Sequence, residues 1–177
     1  MRFLPSFLVF STLVTALVAP AAAQKDVKAG LPRPGSEFPG FSLPDVAGRQ
    51  VALQDFKGKA IVLSFWSCHT DTCFTSVRVI EGLLKEYASR GLVAPTVCSE
   101  VPPALENNNY AGLLKQCGTG QIVLIDKNQE LTKKLGITEF PATFLIDRNY
   151  AVWKVLTGVQ PLMTEDFLVL IRSLVSE

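Results

Sequence analysis

The chain has one histidine, two tryptophans, two methionines and almost no surplus of charge of either sign. Its 177 residues carry 17 Lys and Arg against 16 Asp and Glu, a formal net charge of +1. Near neutrality removes any electrostatic reason to expect nucleic acid or an acidic bilayer surface as partner. With His69 as the sole imidazole, a metal site would have to lean on cysteine. No internal repeat and no low-complexity tract is present. What remains is 48% hydrophobic and 19% charged, an ordinary globular composition at a length that favours one domain.

Charge is also missing locally. None stands between Phe3 and Gln24, a stretch rich in Leu, Val and Phe that follows Arg2 and ends in Pro20-Ala21-Ala22-Ala23-Gln24. A small positive region, an apolar core and small residues at Ala21 and Ala23 predict a signal peptide over residues 1–23, cleaved after Ala23. The competing reading is an uncleaved N-terminal anchor, since the run is long enough to span a bilayer, although Pro5 and Pro20 shorten its clean apolar core. Residues 24–34 read as a linker and 35–177 as the folded domain. Export to a periplasmic or secreted location puts Cys68, Cys73, Cys98 and Cys117 in an oxidising compartment. Four cysteines there allow three complete pairings, and spacing alone does not choose among them.

Residues 41–43 and 51–53 alternate in polarity around Pro44-Asp45-Val46-Ala47-Gly48-Arg49 and predict a β-hairpin. Residues 60–66 form a continuous apolar run, as a central strand covered on both faces requires. After Cys73, apolar residues at 77, 80, 83, 84 and 87 recur at helical spacing, with Gly91 as a C-terminal stop. Residues 92–98 read as a buried strand with Pro95 an awkward member. A helix around residues 110–116, a strand at 121–125 and a short helix at 128–135 follow, with Asp126 near its start and Gly136 at its end. A hairpin pairs 143–146 with 152–156. A last helix from Thr164 buries Phe167, Leu168, Leu170, Ile171, Leu174 and Val175. Alternating strands and helices, then an antiparallel hairpin and a closing helix, predict an α/β domain with a central mixed sheet flanked by helices.

Several stretches carry a family resemblance. Pro39-Gly40-Phe41-Ser42-Leu43-Pro44-Asp45 with Gly48, the lead-in from Leu53 to Gly58, the strand from Ile61 to Trp66, and Lys134 to Asp147 together resemble the TlpA/ResA branch of thioredoxin-like proteins. The AhpC/TSA peroxiredoxins are more distant relatives. The resemblance covers about residues 35–175. It implies a thioredoxin-like fold, a cis peptide before Pro141 that faces the reactive loop, and no dissociable cofactor. It also implies thiol–disulfide exchange with protein thiols or disulfides of exported proteins, by a monomer.

The family's Cys-x-x-Cys lies just beyond its Phe-Trp strand, where helix-terminal amides and dipole stabilise a thiolate. This chain departs from that pattern with Phe65-Trp66-Ser67-Cys68-His69-Thr70-Asp71-Thr72-Cys73. Cys73 takes the second cysteine position, Thr70 stands where the attacking one belongs, and Cys68 is two residues early. Four readings follow. Cys68 and Cys73 form a redox disulfide across the widened loop. Cys73 acts alone as a peroxidatic thiolate, Thr70-x-x-Cys73 resembling the peroxiredoxin Thr-x-x-Cys, although Trp66 replaces a proline of those enzymes. The cysteines are staples of a non-catalytic binding module. Or Cys68, His69 and Cys73 hold a metal such as copper. The first is the working expectation, with Cys68, Cys73 and Pro141 as catalytic residues and no metal.

Auxiliary candidates surround that loop. Cys98 closes the strand expected beside residues 61–66, so it either resolves one of the other thiols or is a small buried side chain. Cys117 reads as structural or free. Trp66 is expected part in the core and part at the rim. His69 would lower a neighbouring thiol's pKa if it served as a cation, whereas Asp71 would raise that of Cys73.

Overall fold

Eight consecutive residues without a charge, Ala60–Ser67, are buried from end to end and form strand β3, the spine of the domain. The computed structural model describes residues 30–67, 71–100 and 121–176, of which 71–73, 100 and 160 are described by backbone alone. The predicted signal peptide, residues 24–29 of the linker, Cys68, His69, Thr70, the helix expected at 110–116 and Cys117 lie outside the described residues.

Strands β1 (Ser42–Pro44) and β2 (Gln50–Ala52) pair antiparallel, one residue out of step with the predicted bounds because Leu53 already opens a 3-10 turn, Leu53–Phe56. Helix α1 runs over Asp71–Tyr87 and hands over through a 3-10 turn to Gly91 at φ 87°, the predicted stop. The strand expected over 92–98 is two strands, β4 (Leu92–Val93) and β5 (Thr96–Glu100). Pro95 has no N–H for the ladder, so the pairing breaks there, yet its carbonyl still accepts from Ser64 N at 3.3 Å. Strand β6 (Val123–Ile125), the short helix α2 (Glu130–Lys134), β7 (Ala142–Ile146), β8 (Val152–Thr157) and α3 (Glu165–Ser176) complete the order.

The main sheet runs β6-β5-β3-β7-β8, with β4 also against β3. β4 and β5 lie parallel to β3 and β6 parallel to β5, while β7 and β8 are antiparallel, so the sheet is mixed as expected. Alternation along β3 supplies two cores. Ile61, Leu63 and Phe65 face the hairpin and α2, packing with Phe38, Phe41, Leu131, Leu135 and Phe144. Ala60 and Val62 face α1 and α3, packing with Ile80, Leu83, Tyr87, Phe167, Ile171 and Leu174. Each such fully buried aliphatic or aromatic side chain contributes about 1.5–3 kcal/mol. Helix α3 buries Phe167, Ile171, Leu174 and Val175 as predicted, but Leu168 and Leu170 are only half-buried because they flank the stripe. The Thr164 hydroxyl accepts from Phe167 N at 3.3 Å and caps it.

Two docking contacts of the fold were not legible in the hydrophobic pattern. Residues 35–38 dock along the start of β8, with Gly35 N donating to Val152 O at 2.7 Å and Phe38 N to Tyr150 O at 2.8 Å. The hairpin lies over the outer edge of β6, Val46 N donating to Val123 O at 3.2 Å, which covers a strand edge that would otherwise stay open.

Candidate functional site

The parallel ladder between β3 and β5 slips at its end, where Ser67 pairs Glu100 after Trp66 has paired Cys98. Only residues 68–70 stand between the carboxyl end of β3 and the amino end of α1, a 17-residue helix. Cys73 stands in the first turn of that helix. First-turn amides and the dipole of a helix favour negative charge at its amino end. Of the residues expected at the site, Cys68, Thr70 and His69 lie in the segment outside the described residues, as do two of the three members of the proposed copper set.

Pro141 completes the backbone arrangement. The Phe140–Pro141 bond is cis. Ala142 pairs Phe65 across β7 and β3, which puts Pro141 one step further on, alongside Trp66 and the end of β3. Gly158 N donates to Pro141 O at 2.8 Å and ties the loop after β8 to the same turn. Phe140 is half-buried and packs against the cluster of Trp66, Val77, Cys98, Val123 and Ile125. The start of α1 is joined to that cluster by Phe74, whose ring meets Trp66 edge-on with centroids 5.4 Å apart.

The burial expected of Trp66 and the strand position expected of Cys98 change here. Trp66 was expected partly at the rim; its side chain is wholly buried, because Phe74 and Val77 of α1 lie over it. It is part of the core. Cys98 was expected to end the strand beside β3; it lies inside β5, which runs on to Glu100, and is fully buried in the layer beneath α1.

Carboxylates fix the neighbouring turns. Asp45, buried in the β1–β2 turn, accepts from Ala47 N at 2.8 Å, Arg49 N at 2.9 Å and the Arg49 guanidinium at 2.7 Å. Burial alone would raise its pKa; those donors outweigh burial and hold the carboxyl below its ordinary value. Asp126 accepts from Thr132 N at 2.9 Å and Leu131 N at 3.3 Å, and so anchors the start of α2. The sequence signal for Asp45 was an acid two residues before Ala47 in a turn, the spacing at which such a side chain caps its own backbone. Two adjoining clefts of about 280 and 460 Å³ lie between the hairpin and the β6–α2 turn, both lined by Pro44, Ile125 and Lys127. Among the described residues, neither is lined by Pro141 or by α1.

Comparison with known proteins places this arrangement. The family model described as Redoxin matches residues 33–167. The thiol-disulfide oxidoreductase ResA of Bacillus thuringiensis subsp. konkukian is 31% identical over 127 residues, 71% of this chain and 70% of that protein. ResA of Bacillus subtilis is 30% identical over 141 residues, 78% of this chain and 75% of its own. Among solved structures, a protein assigned as thiol:disulfide interchange protein DsbE from Chlorobium tepidum superposes with TM-score 0.72 at 24% identity, covering 81% of this chain and 99% of that one. The exposed lipoprotein thioredoxin of Streptococcus pneumoniae superposes with TM-score 0.64 at 28% identity, covering 77% and 100%. The sheet order, the turn at Pro141 and the α1 start at the end of β3 therefore sit on a thioredoxin-like scaffold, and the chain belongs to the Redoxin family.

Proposed function

We propose that the chain is an exported thiol–disulfide oxidoreductase that exchanges disulfides with protein substrates through Cys68 and Cys73. The observation that carries this reading is the meeting of three backbone features at one end of the sheet: the carboxyl end of β3, the first turn of α1 bearing Cys73, and the Pro141 turn. The naming of the ResA relatives as thiol-disulfide oxidoreductases supports the same chemistry.

In the reducing direction, the thiolate of one cysteine attacks a sulfur of the substrate disulfide and expels the other substrate sulfur as a thiolate. The second cysteine, as thiolate, then attacks the enzyme sulfur of the mixed disulfide. The substrate leaves as a dithiol and a Cys68–Cys73 disulfide remains, so two electrons pass from enzyme to substrate. Four residues stand between the pair, a spacing compatible with a disulfide across the loop. Export, with the signal peptide removed after Ala23, would place this chemistry where protein disulfides persist.

The decisive experiment traps the intermediate. The reduced protein, its Cys68→Ser and its Cys73→Ser variants are each incubated with a disulfide-bearing protein and analysed by mass spectrometry. One single variant should accumulate a mixed disulfide and identify the attacking residue, while the native protein turns over. If neither variant forms an adduct and alkylation across pH finds both thiols ordinary, the exchange reading fails. Peroxide consumption that survives Cys68→Ser and is abolished by Cys73→Ser would replace it with the peroxidase reading.

A further inference from the structure

The face of the sheet covered by α1 carries a row of polar side chains where an apolar core is expected. Ser64 on β3 is in register with Thr143 on β7 and with Thr96 on β5, and all three are buried. Val123 of β6 stands in register with Thr96; Gln121, two residues before it on the same face, lies diagonally beyond Thr96 and donates from Nε2 to Val77 O of α1 at 2.6 Å. Trp66, one inward-facing position beyond Ser64, lies under Phe74 of the same helix. Ser64 and Thr143 satisfy each other with a 2.9 Å hydroxyl contact. One polar atom on each of the remaining three, Trp66 Nε1, Thr96 Oγ1 and Gln121 Oε1, is buried and has no hydrogen-bond partner among the described residues.

Native interiors seldom leave such groups dry, because each one forfeits its hydration and gains nothing in exchange. Three orphans on adjacent strands beneath one helix are a pattern. Their chemistry is also complementary: an indole N–H that only donates, an amide oxygen that only accepts, and a hydroxyl that does both. Water, with two donors and two acceptors, matches that set, and buried waters make about three such bonds.

We infer that ordered internal water occupies the seam between α1 and strands β3, β5 and β6, accepting from Trp66 Nε1 and donating to Gln121 Oε1, with Thr96 Oγ1 as its third partner. The helix that bears Cys73 then rests on a hydrated layer, pinned at Val77 O by Gln121. The inference stands apart from any role of the cysteines.

Nuclear magnetic resonance on the labelled protein tests it. The Trp153→Phe variant leaves a single indole, that of Trp66, for assignment. Its Nε1–H should show a cross-peak to water with the sign that marks a long-lived bound molecule; absence of that cross-peak overturns the inference. Thr96→Val supplies a second readout because it keeps the shape and removes the hydroxyl. If the seam is wet, removing one of the water's partners lowers Tm by about 2–4 °C. A rise in Tm, the result expected when a dry orphan hydroxyl is deleted, overturns it equally.

Discussion

Gly30 and Gly136 touch backbone to backbone: a Cβ built on Gly136 would stand 2.7 Å from the Gly30 Cα. Gly136 also holds a φ of 65°, which L side chains adopt at a cost of about 1–2 kcal/mol. The described N-terminal strap is thus seated just beyond α2 by the absence of a side chain. Gly136→Ala should lower Tm by several degrees, roughly 2–8 °C, and expose residues 30–34 to limited proteolysis. An unchanged Tm and an unchanged cleavage pattern would show that the contact is dispensable.

Asp45 makes the stability of the hairpin depend on pH. Its folded pKa is lowered, so its contribution is complete above the unfolded carboxylate value near 3.9 and is lost as pH falls through the lowered folded value. Asp45→Asn should cost about 1–3 kcal/mol at pH 7, since charge-assisted bonds to two amides and Arg49 are replaced by neutral ones. The difference from native should close on acidification below pH 4. Denaturant unfolding of both proteins across that range checks it, and a gap that persists in acid contradicts the assignment.

Arg148 clamps three carbonyls from distant parts of the chain, Gly58 O at 3.0 Å, Val175 O at 3.1 Å and Arg90 O at 3.4 Å. Removing it releases the last turn of α3 from the turn before β3. Arg148→Ala should cost roughly 1–2 kcal/mol, discounted for partial exposure. Arg148→Lys should recover less than half, because one ammonium cannot span the fork. Equal stability of the Lys variant and native would rule out the three-way clamp.

Ser64 and Thr143 are a test of paired burial. Either Ser64→Ala or Thr143→Val alone leaves a buried hydroxyl unpartnered and should cost about 1–3 kcal/mol. The double variant should be more stable than at least one of the singles. Additive losses in that cycle would mean the two hydroxyls do not act as a pair.

Cys98 discriminates between core and relay. It is fully buried beside Trp66, and Cys98→Ala should lower stability by about 1 kcal/mol while leaving disulfide exchange within a factor of two. A tenfold or larger loss of exchange in a folded Cys98→Ala protein would assign it as a resolving thiol.

How much of this was legible in the residues depends on the range of the interaction. The uncharged run at 60–66, the 3.6-residue stripe from Val77 to Tyr87 and the apolar stripe from Phe167 to Val175 are local patterns, and each became the element expected. The break at Pro95 was half-visible, since a proline removes one donor wherever it sits. The burial of Trp66 was not visible, because it depends on Phe74 and Val77 arriving over it from α1. The strap at residues 35–38 carries no period of its own; its order comes from carbonyls and amides of residues 150–152.

By itself, then, the order of residues determined the strand and helix succession, the proline at the turn before β7 and the placing of Cys73 just after a Phe-Trp strand, because propensity and periodicity act over a few neighbours. The tertiary structure alone decided which face of β3 meets which helix, that Trp66 is core, that Arg148 gathers three carbonyls and that a polar row lies beneath α1. Those depend on groups tens of residues apart sharing one volume from which bulk water is excluded, and only the folded chain brings them together.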